Sequence, residues 1–139
     1  MKKALVIILA VLCALAVLSS CENESDDGEK ITMTVTTENI TAATETLEIS
    51  IKNNTGTEYG YGPTLSLYRL DGEEWMSVGA ISGWTEQSIT LNSRSTNTQT
   101  ISVTNKYGSL EAGEYKIVKS FSDGEDGTVE AEAFFTVGE

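Results

Sequence analysis

The sequence predicts an all-β domain, a sandwich of two antiparallel sheets, behind an N-terminal export signal. Apolar and polar residues alternate with a period of two through most of residues 31–139, as in strands with one buried and one solvated face. Turn residues separate the alternating runs, and no helical period follows residue 21. About seven short strands in a domain of this size indicate a sandwich, with a small barrel as the structural alternative.

The first element is an apolar run behind two lysines. After "MKK", the run "ALVIILAVLCALAVL" contains 15 residues and no charged side chain. A positive start followed by an apolar segment is the layout of a secretory signal. The run is shorter than the roughly 20 residues that a membrane-spanning helix needs. Residues 1–20 are therefore predicted to be a signal peptide.

The apolar run ends in "LSSC", which places Cys21 after two small residues. This stretch resembles the lipobox of bacterial lipoprotein signals, and the resemblance implies cleavage before Cys21 and lipidation of its thiol. Lipid chains would hold the protein on the extracytoplasmic face of the cell membrane. The alternative is an ordinary cleaved signal that leaves a cysteine behind, although a lone exposed thiol is a liability in an oxidising compartment.

Charge and composition restrict the function of the rest of the chain. Residues 21–30, "CENESDDGEK", are predicted to form a lipidated, acidic and disordered tether, because so polar a segment buries little apolar surface. The net charge of −12 argues against a nucleic-acid partner. The chain contains no histidine, the usual general base and transition-metal ligand. We therefore expect neither an enzyme nor a bound cofactor or metal.

Alternation and turn residues together define the strands of the domain at 31–139. Asp71-Gly72 joins two of them, and a two-residue Asp-Gly loop favours a type I′ hairpin. The run "VEAEAFFTV" ends the chain with Ala131, Ala133 and Phe135 on one face. The seven strands are predicted near residues 31–37, 45–52, 64–70, 73–79, 98–104, 113–121 and 129–137, with a short eighth near 87–91.

The stretch "LEAGEYKI" precedes the penultimate strand and carries the spacing Leu-x-x-Gly-x-Tyr. It resembles the tyrosine corner of immunoglobulin-like domains, in which a tyrosine hydroxyl bonds to backbone upstream. The resemblance implies that Tyr115 makes this bond, with Leu110 packed beneath it and Gly113 easing the bend. With "LEISIKNNT" and "LDGEEW", most of 31–139 is similar to the bacterial Ig-like domains of Gram-positive lipoproteins.

The chain departs from antibody-type domains in two ways. No inter-sheet disulfide is available in residues 31–139, because neither cysteine lies there. Trp75 follows the Asp71-Gly72 turn and so belongs to the strand after the one on which antibody domains carry their core tryptophan. The resemblance therefore supports the sandwich and not an antigen-receptor function.

Candidate binding residues lie in the segments between strands. Tyr59 and Tyr61 in "EYGYGP" belong either to a recognition loop or to a strand start folded over the core edge. Trp84 lies in a predicted loop, where it either contacts a partner or plugs one end of the sandwich. The acidic loop 122–127 is either a solvated hairpin tip or a calcium site, and it lacks the spacing of an EF-hand.

Two functions fit these features. The first is a membrane-anchored lipoprotein whose non-enzymatic Ig-like module binds a protein or another envelope component. The second is protease inhibition, because the Asn-Asn, Gly-x-x-Trp and Gly-x-Tyr pattern resembles the Ig-like proteinase-inhibitor domains of bacilli. Such an inhibitor would act through projecting loops, for which the Gly-rich stretch 56–62 is the candidate.

Overall fold

The computed structural model describes residues 30–139, of which Ile31–Glu139 form one compact unit. The predicted signal peptide, Cys21 and the tether up to residue 29 lie outside the described residues. Within residues 30–139, no helix is both long enough and apolar enough to cross a bilayer.

Nine strands and one short helix make up the described part of the chain. The strands are β1 (Ile31–Val35), β2 (Thr46–Asn53), β3 (Tyr59–Tyr61), β4 (Ser66–Asp71), β5 (Glu74–Val78), β6 (Ile89–Leu91), β7 (Thr96–Ser102), β8 (Gly113–Ser122) and β9 (Thr128–Val137), and the helix is α1 (Val103–Tyr107).

The first sheet contains three antiparallel strands in the order β1-β2-β7. Leu47, Ile49 and Ile51 of β2 are buried against the second sheet, as the alternation predicts. The opposite face of this sheet carries short polar side chains, such as Thr34 on β1 and Thr98 on β7. Threonine suits this solvated, pleated surface because its branched Cβ restricts the side chain to few rotamers.

The second sheet is built around β8. Strand β9 pairs along one side of β8, and β4 and β3 follow one another along the other side. Arg69 of β4 faces Tyr115 near the start of β8, whereas Gly60 of β3 faces Ser122 at its end. Strands β5 and β6 extend the sheet beyond β4 and β3 respectively. Two antiparallel sheets thus confirm the predicted sandwich over the barrel.

The hydrophobic core lies between the two sheets and consists mainly of aliphatic side chains. Tyr115 and Phe121 are its most deeply buried aromatic residues, with 2% and 0% of their surfaces exposed. The other members are Ile31, Met33, Ile40, Leu47, Ile49, Ile51, Tyr61, Leu65, Leu67, Leu91, Ile101, Val103, Leu110, Ile117, Ala131, Ala133, Phe135 and Val137.

The structure differs from the predicted elements at three places. The loop between β4 and β5 is Gly72-Glu73 and not Asp71-Gly72, because Asp71 pairs with Glu74, and it is not of type I′, because only Gly72 of its two residues has a positive φ. Residues 59–61 form a strand, β3, that adds to the seven predicted strands, while β6 supplies the short eighth near 87–91. The predicted strand 98–104 stops at Ser102, whose hydroxyl accepts a hydrogen bond from the Asn105 amide and caps α1. Gly108, with φ of 72°, ends the helix in a conformation that favours glycine.

Candidate functional site

The tyrosine near the start of β8 is fully enclosed and bonded to backbone. The Tyr115 hydroxyl donates to the carbonyl oxygen of Glu111 at 2.7 Å, and its ring stacks on Phe135 with centroids 5.3 Å apart. Burial raises the pKa of Tyr115, the Arg69 guanidinium partly opposes this rise, and the Glu111 carboxylate adds to it. This is the geometry of a tyrosine corner.

The backbone around this tyrosine is held by Arg69 of β4. The Arg69 guanidinium donates to the carbonyl of Ala112 at 2.9 Å and lies 3.1 Å from a carboxylate oxygen of Glu111. Gly113 adopts φ of 154°, and a Cβ there would lie 3.1 Å from Nε of Arg69. The backbone conformation favours glycine here, and a Cβ would also crowd the Arg69 side chain. Leu110 is buried in the core.

The buried Lys119 on β8 holds the segment between β3 and β4 by hydrogen bonds to its carbonyls. Lys119 lies on the core-facing side of β8 with 2% of its surface exposed. Its ammonium donates to the carbonyls of Gly62 and Thr64, each at 2.9 Å, and lies 5.2 Å from the ring centroid of Tyr61. Burial lowers the pKa of Lys119 from 10.5 to about 8.

The Pro63 carbonyl, which lies between those of Gly62 and Thr64, accepts a hydrogen bond from the opposite sheet. Nε2 of Gln99, on β7, donates to the Pro63 carbonyl at 2.9 Å. Three consecutive carbonyls between β3 and β4 are thus satisfied by two side chains, Lys119 from β8 of the same sheet and Gln99 from the opposite sheet. Lys119 and Gln99 are therefore structural residues that hold a broken strand.

Tyr59 and Tyr61, the predicted recognition residues, lie in β3. Tyr61 is buried, packs edge-on against Phe121 with ring centroids 5.4 Å apart, and accepts a hydrogen bond from the Asn97 side chain at 3.2 Å. Tyr59 is half-buried and packs against the core. Both side chains thus serve the core edge, which is the second of the two alternatives for this stretch.

Trp84 lies in the segment between β5 and β6 and packs on α1. Its ring meets Tyr107 edge-on with centroids 6.5 Å apart, and the Lys106 ammonium lies 4.5 Å above it. The Trp84 side chain is half-buried against the core. A cleft of about 580 Å³ lies between this segment and Gly62–Pro63–Thr64. Trp84 therefore plugs one end of the sandwich and also borders a cleft.

The acidic loop 122–127 is organised by one of its own carboxylates. Oδ1 of Asp123 accepts hydrogen bonds from the amides of Glu125 at 2.8 Å and Gly127 at 3.1 Å. Within residues 30–139, no three acidic side chains converge as a metal site would require. The Asp123 carboxylate caps a hairpin tip.

The outer face of the second sheet carries a cluster of aromatic side chains around one lysine. Phe134 is 62% exposed, and its ring centroid lies 5.9 Å from that of Trp75. The Lys116 ammonium lies 5.0 Å from the Trp75 centroid and 5.4 Å from that of Tyr68. We call Tyr68, Trp75, Lys116 and Phe134 the aromatic face.

Strand register brings the aromatic face together. Lys116 of β8 pairs with Phe134 of β9 on one side and with Tyr68 of β4 on the other, so these three side chains form one row. Trp75 enters from β5, where it pairs with Leu70 one position beyond the Asp71–Glu74 pair that closes the hairpin. Four strands therefore converge on one solvent-facing patch, in contrast to the threonine-rich outer face of the first sheet.

Comparison with known families identifies the domain. A family model described as "Bacterial Ig-like domain" matches residues 27–135. The chain belongs to this family. The match confirms that the sandwich is an immunoglobulin-like one, with β1-β2-β7 as one sheet and β8 at the centre of the other.

Two solved structures are distantly similar to the Ig-like domain. No curated protein sequence matches the chain. Among solved structures, the archaellum periplasmic stator protein FlaG from Sulfolobus acidocaldarius is 16% identical, with a TM-score of 0.43 over 76% of this chain and 99% of its own. A β-glucosidase from Kluyveromyces marxianus is 14% identical, with a TM-score of 0.37 over 80% of this chain and 14% of its own.

Sequence reasoning about this Ig-like domain missed the aromatic face, although a signal for it exists. Alternation in β9 directs Ala133 and Phe135 inward, so that Phe134 is a large apolar residue on the solvated side. A second signal is Trp75, which follows a two-residue hairpin and therefore has Leu70 as its cross-strand partner. The contact between Trp75 and Phe134 crosses β4 and β8 and requires the sheet order, which a single sequence does not provide.

Proposed function

We propose that this protein is a bacterial lipoprotein of Gram-positive type that displays one Ig-like domain outside the cytoplasmic membrane. Signal cleavage before Cys21 and lipidation of its thiol anchor the chain, and residues 21–30 tether the domain to the lipid. The proposal is supported by "LSSC" behind a charged start and a 15-residue apolar run. The net charge of −12 repels an anionic membrane surface, so the lipid supplies the attachment.

The displayed domain binds a protein or another envelope component and performs no catalysis. The observation that carries this proposal is the aromatic face, where Phe134 exposes 62% of its surface beside Trp75 and Tyr68. Contiguous exposed apolar side chains mark interaction surfaces, and aromatic residues are enriched in them. The absence of histidine from the sequence supports a binding role over general acid–base catalysis.

Protease inhibition receives no support from the geometry of its candidate loop. Residues 59–61 form β3, which pairs with β6 on one side and touches β8 on the other. Tyr61 in this stretch is buried. A segment held in this way does not project as an inhibitory loop does, so we do not propose that function.

Partition of the protein between detergent and aqueous phases tests whether Cys21 carries a lipid anchor. Wild-type protein from producing cells should enter the detergent phase and incorporate labelled fatty acid, because stable attachment requires more than one acyl chain. The Cys21→Ser variant should incorporate no label and remain uncleaved. Wild-type protein that stays in the aqueous phase with an intact Cys21 thiol would contradict the lipoprotein proposal.

Chemical cross-linking on intact cells tests the binding role. Wild-type protein should form a discrete cross-linked complex, and Phe134→Ser should reduce its yield. Ile81→Ser is the matched control because Ile81 is 70% exposed and lies outside the aromatic face. Equal yields from wild type and Phe134→Ser would contradict a binding role for this face.

A further inference from the structure

We propose that the aromatic face binds a basic polypeptide segment, in which Lys or Arg side chains alternate with apolar ones. The inference rests on the proposed function, because it names the partner class of the same face.

Carboxylates outnumber cations on the solvent-facing side of β8 and β9. Glu114 on β8 and Glu130 and Glu132 on β9 are exposed, and Lys116 is the one cation among the outward positions of these two strands. The Lys116 ammonium lies 3.9 Å from a carboxylate oxygen of Glu132. Within residues 30–139, Glu114 and Glu130 form no ion pair. The face therefore offers two uncompensated carboxylates to a partner.

The rings on this face already bind one cation. The Lys116 ammonium is within 5.4 Å of the Tyr68 centroid and 5.0 Å of the Trp75 centroid, distances at which ring quadrupoles attract a cation. The Phe134 ring has no such cation in the described part of the chain and is 62% exposed. An arginine or lysine of a partner can stack there, while apolar side chains cover Trp75.

Ring geometry disfavours a sugar as the occupant. The planes of Trp75 and Phe134 meet at 55°. A pyranose ring can stack on one aromatic ring, but two rings at this angle do not form the continuous flat platform that would hold successive sugars. A polypeptide adapts to such a surface, because successive side chains can contact rings of different orientation.

Charge disfavours a second copy of the chain as the occupant. Two copies that meet through this face would bring Glu114, Glu130 and Glu132 of one protomer near those of the other. Like charges that meet in a desolvated interface repel one another and oppose association. A net charge of −12 instead accelerates the association of a cationic partner at low salt.

Peptide binding to the full chain in non-ionic detergent tests the proposal. The probe is a fluorescently labelled synthetic peptide of Arg-Gly-Leu repeats, with a Glu-Gly-Leu peptide and protein-free micelles as controls. Fluorescence anisotropy should show saturable one-to-one binding of the basic peptide. The affinity should fall with added salt, because exposed charges contribute to it.

Paired variants separate the aromatic face from a general attraction to an acidic chain. Phe134→Ser and the double variant Glu114→Gln/Glu130→Gln should each weaken binding about tenfold, as loss of a cation–π contact or of two ion pairs predicts. Ile81→Ser and Glu125→Gln remove an exposed apolar side chain and an exposed carboxylate elsewhere, so their affinities should match that of wild type.

Several outcomes would overturn this inference. Equal weakening by the test and control variants would show non-specific attraction. Binding of a neutral oligosaccharide or of the acidic peptide at this face would identify another partner class. Sedimentation that shows a dimer lost in Phe134→Ser would identify a second copy. If the cellular complex still depends on Phe134 in any of these cases, the proposed binding function stands and only the partner class is wrong.

Discussion

The tyrosine corner at Tyr115 can be tested by measuring the free energy of unfolding of Tyr115 variants. Tyr115→Phe keeps the ring but leaves the Glu111 carbonyl without its donor, so unfolding free energy should fall by about 1–3 kcal/mol. Tyr115→Ala also leaves a cavity and should cost about 3–5 kcal/mol. Urea melts measure both. Tyr59→Phe is the control, since no hydrogen bond of the Tyr59 hydroxyl occurs among residues 30–139, and it should change stability by less than about 0.5 kcal/mol.

Lys119 should make stability rise with pH in alkaline solution. Its pKa is about 8 in the folded protein against an ordinary 10.5, so between these values the unfolded chain binds more protons. Unfolding free energy then increases with pH through this window. Burial raises the pKa of Tyr107 and Tyr115 above the ordinary 10.0. These tyrosines act in the opposite direction above pH 10, so the measurement belongs between pH 8 and about 9.5.

A comparison of two lysine variants isolates the Lys119 contribution. Lys119→Met should abolish the rise in unfolding free energy over this pH range. Lys52→Met, at an exposed position on β2, should keep it. A rise of equal slope in wild type and Lys119→Met would show that the Lys119 ammonium is not the group responsible.

At the scale of elements, one buried asparagine connects β2, the loop that follows it and the end of β6. Nδ2 of Asn53 donates to the carbonyls of Thr57 at 2.8 Å and Asn92 at 3.1 Å, and its Oδ1 accepts from the Thr55 amide at 2.9 Å. None of the Asn53 surface is exposed. This one side chain therefore positions the chain on its way into β3.

Replacement of Asn53 should destabilise the fold more than replacement of an exposed asparagine. Asn53→Ala leaves buried backbone groups unpaired and should lower unfolding free energy by at least about 2 kcal/mol, measured in urea. Asn92→Ala is the matched control because the Asn92 side chain is exposed. It should change stability by less than about 0.5 kcal/mol. Similar losses in both variants would contradict the account of this loop.

Elements with strong alternation were predictable from the sequence, whereas elements defined by tertiary contacts were not. Strands β2 and β9 lie where alternation predicts them, and a hairpin joins β4 to β5 as predicted, although its two-residue loop is Gly72-Glu73 and not Asp71-Gly72. Strand β3 was missed because three residues around Gly60 give no period, and its pairing with β6 and β8 defines it. Helix α1 was missed because Ile101 and Val103 continue the strand pattern while the Ser102 hydroxyl caps a turn.

For the whole molecule, the two outer faces of the sandwich differ in chemistry. The first sheet exposes polar side chains such as Thr34 and Thr98, whereas the second carries the half-buried Trp75 and the exposed Phe134 around Lys116. The core of the fold needs neither of these two aromatic side chains on the outer face. Their presence on one face only, in a domain of the bacterial Ig-like family, is the basis for the proposed binding role.

Site-specific photo-cross-linking in producing cells tests that role most directly. A photoreactive residue would replace Phe134 or Ser77 on the outer side of the second sheet, Thr98 on the outer side of the first, or Thr85 beside the cleft near Trp84. The account predicts cross-linked partners from positions 134 and 77 and none from 98 or 85. Cross-links from position 85 or 98, with none from 134 and 77, would contradict it.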